Sequence, residues 1–221
     1  MSWLKFGTFD GSPFQYSVQY TAARRAAFDN RNFHVANLDH NVDAYFLRPN
    51  FHLEPHFPWV ALGSTHGRTY PGAKIDLAEP TLGLPFAMPA LFALAVAGGG
   101  WAWLRAPALR VPLALTWLAV LPMAAALLAA IVTSHRYTAD FCPWLIAGAA
   151  LALAVLDAEA GWRRPAALGL AGALTAISVA VTLALALRFQ GAEVWGVPAE
   201  TKARYQAMRA TADRFFGVTA P

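Results

Sequence analysis

Uncharged residues gather into four runs between Pro80 and Leu187. Pro80 to Leu104 is 25 residues without a charge, Val111 to Ser134 is 24, and Pro165 to Leu187 is 23. Each exceeds the roughly 20 apolar residues that a helix needs to cross a hydrocarbon core. A shorter run, Phe141 to Leu156, is bounded by Asp140 and Asp157 and reaches across only with its flanks among the headgroups. The pattern predicts about four transmembrane helices, near 81–104, 111–134, 139–157 and 165–187. A chain of 221 residues is too small to bury four wholly apolar helices within itself. Trp101, Trp103, Trp144 and Trp162 fall near the expected span ends, where an indole sits well between lipid and water. Pro122 should kink the second span, and Gly148 with Ala152 and Gly169 with Ala173 give a small-x-x-x-small spacing that permits close helix approach.

Before the first run the pattern is different. Residues 1–80 hold eight of the 14 Phe, four of the six Tyr and five of the six His, punctuated by Gly and Pro. Such a segment should fold against the membrane or another part of the protein. Ser17 to Asn30 and Leu38 to Phe46 read as short helices, and the prolines between Arg48 and Pro58 predict an extended stretch. After the last run, Thr201, Tyr205, Met208, Ala212, Phe215 and Phe216 share one helical face, with Lys202, Arg209, Asp213 and Arg214 outside it. This amphipathic tail is expected to lie in the headgroup layer, with packing onto the head as the competing reading. The expected fold is an all-α membrane protein: an extramembrane head over 1–80, a four-helix block over 81–187 and an interfacial tail over 188–221.

Composition agrees. Only 14% of residues are charged, against about 25% in soluble domains, and mean hydropathy is +0.39. Of the 30 Asp, Glu, Lys and Arg, 14 precede Pro80 and eight fall between Thr81 and Leu187. The net charge of +4 is dispersed among loops, which argues against a nucleic-acid partner. The amino terminus lacks a basic segment leading into an apolar stretch, so no cleavable signal peptide is expected. The single cysteine, Cys142, excludes an intrachain disulfide and reads as a small buried side chain. No charge lies in mid-span, which disfavours transport by ionisable groups. His52, Glu54 and His56 alternate onto one side of an extended chain, but three ligands on one short strand rarely close a tetrahedron. No metal or cofactor is expected.

Two stretches carry a resemblance. The first is Leu4-Lys5-Phe6-Gly7-Thr8-Phe9-Asp10-Gly11-Ser12-Pro13-Phe14-Gln15-Tyr16, then Tyr20, Tyr45-Phe46-Leu47-Arg48-Pro49 and Phe57-Pro58. It resembles an R-F-G-S-P-x-E-F frame with a later Y-x-L-F-x-P-P and F-P-F, interrupted here after Gly7 and carrying Gln15 for the acidic residue. The second, Ser134-His135-Arg136-Tyr137-Thr138-Ala139-Asp140-Phe141, is similar to an E-R-Y-x-x-D-F motif opening a late transmembrane helix, with His135 at the acidic position. Both motifs occur in bacterial polytopic membrane proteins resembling the C-type glycosyltransferase superfamily, the glycosyltransferase 39-like enzymes that use polyprenyl-phosphate sugars.

The resemblance implies a multi-pass protein of the bacterial inner membrane. It further implies that this chain corresponds to the carboxyl-terminal, lipid-carrier-binding half of such a transferase, with an upstream or partner membrane chain supplying the catalytic carboxylate loop. No catalytic residue is assigned. Arg136 would bind the lipid phosphate, its donor fork matching phosphate geometry. Asp140 would orient Arg136 or cap the third span together with Pro143, His135 would add a hydrogen bond, and Tyr137 would anchor the interface. The alternative is a non-catalytic membrane subunit that docks a partner through its head. The resemblance puts the head outside the cell, leaving Arg105, Arg110, Arg163 and Arg164 inside; the opposite orientation puts eight Lys and Arg inside and is the one charge favours.

Overall fold

The computed structural model describes residues 14, 19–63, 70–158, 161–191 and 197–218. In the head, α1 (Ala22–Ala27) is capped by the Thr21 hydroxyl, which accepts from the Arg24 N–H. A 3₁₀ turn, Val35–Asn37, leads into α2 (Leu38–Val42), which widens into a π turn at Asp43–Leu47. Strands β1 (Phe51–Leu53) and β2 (Val60–Leu62) pair antiparallel, Phe51 opposite Leu62. A two-residue strand β3 (Leu77–Ala78) ends the head. The helical part of Ser17–Asn30 is thus shorter than expected and the Leu38–Phe46 helix forms as predicted, while the stretch expected to be extended from Arg48 to Pro58 is so only to Leu53, with 55–58 in the hairpin turn.

The block begins with α3 (Leu84–Ala87), then α4 (Pro89–Arg105), α5 (Pro107–Ala129), β4 (Val132–Thr133), a 3₁₀ segment His135–Phe141 running into α6 (Cys142–Ala158), and α7 (Arg163–Gly191). Three of these units, α5, His135–Ala158 and α7, are long and apolar enough to cross a membrane. The first expected span is cut at both ends by proline. Met88 (φ −135°, ψ 59°) and Ala106 (φ −126°, ψ 77°) precede Pro89 and Pro107, and a residue before proline is driven out of the helical region. What remains, α4, has 17 residues, about 25 Å of helix. α5 continues through Pro112 and Pro122 as a single helix.

Short α4 is nonetheless the hub, touching α5, α6 and α7 and packing most extensively along α6. A side-chain carbon at Gly98 would lie 2.0 Å from the Gly148 carbonyl oxygen and 2.4 Å from the Ala152 nitrogen, and one at Gly148 would lie 2.5 Å from the Ala95 oxygen. The two backbones therefore meet directly, as small residues allow. Gly169 faces open space and Ala173 is exposed, so the second pair of small residues makes no such contact.

The head closes over the end of α5. A helix leaves its last carbonyls without intrahelical partners, and here the head supplies donors. The Asn37 amide donates to Ala129 O (3.2 Å), Ala130 O (3.1 Å) and Lys74 O (3.0 Å), while its oxygen accepts from Lys74 N–H at 2.7 Å. The Asn41 amide donates to Leu128 O (2.9 Å) and Ala130 O (3.0 Å), and its oxygen accepts from the Thr133 hydroxyl at 2.7 Å. His34 N–H donates to Ala129 O, and β3 runs parallel to β4, Leu77 beside Val132. Both asparagines are fully buried. Below this seam Tyr45 and Phe141, also fully buried, join Leu84, Ala95, Ala124 and Leu145 in an apolar cluster.

The tail helix α8 (Ala199–Phe215) packs against α7 and reaches the β1–β2 connection. Asp213 accepts the Phe57 N–H at 2.7 Å and bonds His56 Nδ1 at 3.1 Å. Glu54 pairs with Arg188 at the end of α7 (3.0 Å) and with Arg209 of α8 (3.7 Å). Phe57, Trp59, Phe216 and Phe215 form a chain of edge-on rings about 5 Å apart, bridging hairpin and tail. The least exposed stripe of α8 is Lys202, Tyr205, Arg209, Ala212 and Asp213. That stripe is rotated from the expected apolar arc, because ion pairs to the head aim the helix, and Met208 and Phe215 stay exposed.

Asp213 is held below the ordinary carboxylate range, first by the Phe57 N–H and then by His56. A carboxyl that is more acidic folded than unfolded stabilises the fold above its unfolded value, and that contribution is lost as pH falls through the folded one. The tail should loosen as pH drops below about 4, near the unfolded carboxylate value. Asp213→Ala should have the same effect at neutral pH: amide hydrogen exchange rises across 199–215 while α4 and α6 stay protected.

Candidate functional site

The motif from Ser134 to Phe141 lies where head and helices meet. Ser134 N–H donates to the Tyr45 hydroxyl oxygen at 3.2 Å, and the Ser134 hydroxyl donates to Glu79 Oε2. Tyr45 is consequently locked, and burial pushes its hydroxyl up to about 12. Glu79 is held in turn by its own N–H donating to Thr133 O at 2.9 Å. This glutamate was not singled out in the sequence; its only signal there is its place as the last charge before the first apolar run.

Residues 135–141 form a 3₁₀ helix, three residues per turn, so side chains three apart line up. His135, Thr138 and Phe141 face inward, Phe141 fully buried and the Thr138 hydroxyl donating to His135 O at 2.7 Å. His135 Nδ1 accepts the Leu82 N–H at 3.4 Å, and its ring stacks on Phe189 of α7, centroids 5.7 Å apart at 9°. With Nδ1 an acceptor, the ring proton belongs on Nε2. The expected hydrogen bond of His135 is therefore made to the protein's own backbone.

Arg136 points outward. It is exposed, and its guanidinium carbon stands 5.2 Å from the centroid of the Tyr137 ring, a cation–π distance. Asp140 is half-buried and has no ion pair to Arg136. Four residues apart on an α-helix the two would be neighbours, but on a 3₁₀ helix they diverge by about a third of a turn. The expected orientation of Arg136 by Asp140 is replaced by Tyr137. Asp140 also lies two residues before α6, within the 3₁₀ turn, and no hydrogen bond from it to the first turn of α6 is present among the described residues.

Four other cations of the head and α7 are matched. Arg24 pairs with Asp76 at 2.8 Å, Arg48 with buried Asp43 at 2.6 Å, Lys74 with Asp29, and Arg188 with Glu54. Tyr20 joins the first of these pairs, its hydroxyl donating to Asp76 at 2.6 Å and raised to about 12 by burial and by that carboxylate. Arg136 has no carboxylate partner among the described residues, and so it can receive an anion from outside.

His52, Glu54 and His56 do not converge. Glu54 faces Arg188 and Arg209 with His52 at 3.5 Å, and His56 turns to Asp213. Among the described residues no group of three or more His, Cys, Asp or Glu is placed to hold a metal ion. Cys142 is half-buried, its thiol 3.8 Å from the Met88 sulfur. The first resemblance-bearing stretch lies, apart from Phe14, outside the described residues through Tyr16. No family model, no curated protein and no solved structure matches this chain, so the resemblance to polyprenyl-phosphate-sugar transferases rests on the two motifs themselves.

Proposed function

We propose that this chain is the lipid-phosphate-binding membrane part of a glycosyltransferase that uses a polyprenyl-phosphate-linked sugar, multi-pass in a bacterial inner membrane. The supporting observation is Arg136: exposed at the head–helix seam, propped on Tyr137, and without an ion-paired carboxylate among the described residues, whereas Arg24, Arg48 and Lys74 of the head each have one. Ser134, Tyr45 and His135 act on it only indirectly, by fixing the turn that presents it, whereas the Glu79 carboxylate also lies close enough to favour its charge. The reaction's carboxylate would come from another segment or chain. In this reading α4 completes a fourth crossing with α3 and its flanks at the headgroups, and the head, the 134–140 turn and the tail share the outer face.

Purified protein should bind a fluorescent polyprenyl phosphate, and Arg136→Ala should weaken that binding about tenfold to a hundredfold, the worth of one charge-assisted hydrogen bond. Arg136→Lys should fall between. Unchanged affinity in Arg136→Ala would refute the reading. A reporter fused after Gly191 should report the outer side. A second reading, a non-catalytic subunit docking a partner through its head, is favoured by the exposure of Val35, Leu47 and Leu53, at 79%, 63% and 77%; it predicts a co-purifying protein and no effect of Arg136→Ala.

A further inference from the structure

An apolar groove of about 850 Å³ runs between α4 and α5, from Trp144 and Leu145 at the start of α6 toward the Ala106 turn at the other end of the bundle from Arg136. Its shape follows from the sequence of α4. Gly99 and Gly100 offer no side chain, and a Gly99 Cβ would already stand 3.2 Å from the Trp117 ring. The walls are aromatic and fixed: Trp103 stacks on Trp117 with centroids 6.4 Å apart at 18°, and the Trp144 indole N–H donates to Trp117 O at 3.0 Å. With the Trp144 donor spent in this way and a lining otherwise of Ala, Gly, Val, Leu and the indoles of Trp103 and Trp117, the groove suits a hydrocarbon chain. The volume is in the range of small-ligand sites, roughly 300–1,000 Å³.

The groove's open end is charged. The turn at Ala106 sets Arg105 and Arg110 beside Trp103 and Leu104, and Arg110 Nε donates to Trp103 O at 2.7 Å, which ties one guanidinium to the groove wall. Neither arginine has a carboxylate partner among the described residues, whereas Arg164 at the same end is paired with Asp157 at 2.8 Å. An apolar trough ending in two uncompensated guanidiniums and an indole is complementary to an amphiphile with one anionic head. We infer that the groove is a binding site for an anionic glycerophospholipid of the leaflet opposite the head, with an acyl chain against Gly99, Gly100 and Trp117 and the phosphate at Arg105 and Arg110. It rests on the bundle lying in a bilayer, and its ligand and leaflet differ from those assigned to Arg136.

The test uses the full chain in phosphatidylcholine nanodiscs doped with a small fraction of brominated-chain phosphatidylglycerol or, separately, brominated-chain phosphatidylcholine. Bromine quenches indoles it touches. At equal fraction, the brominated phosphatidylglycerol should be enriched at the groove on the order of tenfold, since each surface guanidinium favours an anionic lipid severalfold. The extra quenching should vanish in Trp103→Phe/Trp117→Phe and in Arg105→Gln/Arg110→Gln, and persist in Arg105→Lys/Arg110→Lys. Equal quenching by both lipids, or a preference surviving Arg105→Gln/Arg110→Gln, overturns the inference. So does quenching by neither lipid in a nanodisc-inserted dimer, which would assign the groove to a second copy. Protein that stays in the aqueous fraction would refute the membrane reading itself.

Discussion

Gly98→Val should dismantle the contact between α4 and α6. The added Cβ alone would stand 2.0 Å from one backbone atom and 2.4 Å from another, and neither can rotate away. Overpacking a core ordinarily costs about 1–3 kcal/mol, and a clash with backbone belongs at or above the top of that range. Because α4 also contacts α5 and α7, separating it from α6 disturbs those two interfaces as well. Thermal unfolding of detergent-solubilised protein, followed by loss of monodispersity, should drop sharply for Gly98→Val. The control is Gly172→Val: nothing lies within 4 Å of a Cβ there, and its midpoint should stay close to wild type. Equal losses in the two variants would show that α4 and α6 do not meet at Gly98.

The second large effect is expected at the seam. Asn41→Ala removes the donor to Leu128 O and Ala130 O and the acceptor for the Thr133 hydroxyl; Ala130 O keeps Asn37, but Leu128 O and the buried Thr133 hydroxyl lose these partners. Each such group costs about 1–3 kcal/mol, so a loss on the order of 3 kcal/mol is expected, with Asn37→Ala comparable. Limited proteolysis locates it: cleavage should appear in the head and at 130–134 before any appears within α6 or α7. A uniform loss of protection throughout the chain would contradict a head that is clamped at the end of α5.

The apolar runs marked the helices well because a long uncharged stretch has one economical environment. They marked their ends poorly where proline intervened, since Met88 and Ala106 break the helix through backbone sterics that a count of charges does not register. The Gly148 spacing proved to be a contact and the identical Gly169 spacing did not; the motif states that a close approach is possible, and only the partner helix decides it. Arg136 and Asp140 were separated by a 3₁₀ turn that a four-residue interval, read as α-helix, conceals. The tail's docking stripe was hidden for a related reason, its direction being set by Glu54 and His56 in a hairpin turn more than 130 residues earlier. The asparagine clamp has no local signature at all, because Asn37 finds Ala130 across 93 positions.

That separation has a consequence for how the molecule is made. During synthesis from the amino terminus, Asn37 and Asn41 emerge well before the carbonyls they serve, and β3 precedes β4 by more than 50 residues. The head cannot finish folding when it first appears. It must wait, its amides hydrated and Tyr45 without Ser134, until α4 and α5 have formed their hairpin and returned the chain to the same side. Completion of the head therefore reports on the helices that follow it: the seam can close only after the chain has turned at Ala106 and brought the end of α5 back to Asn37 and Asn41.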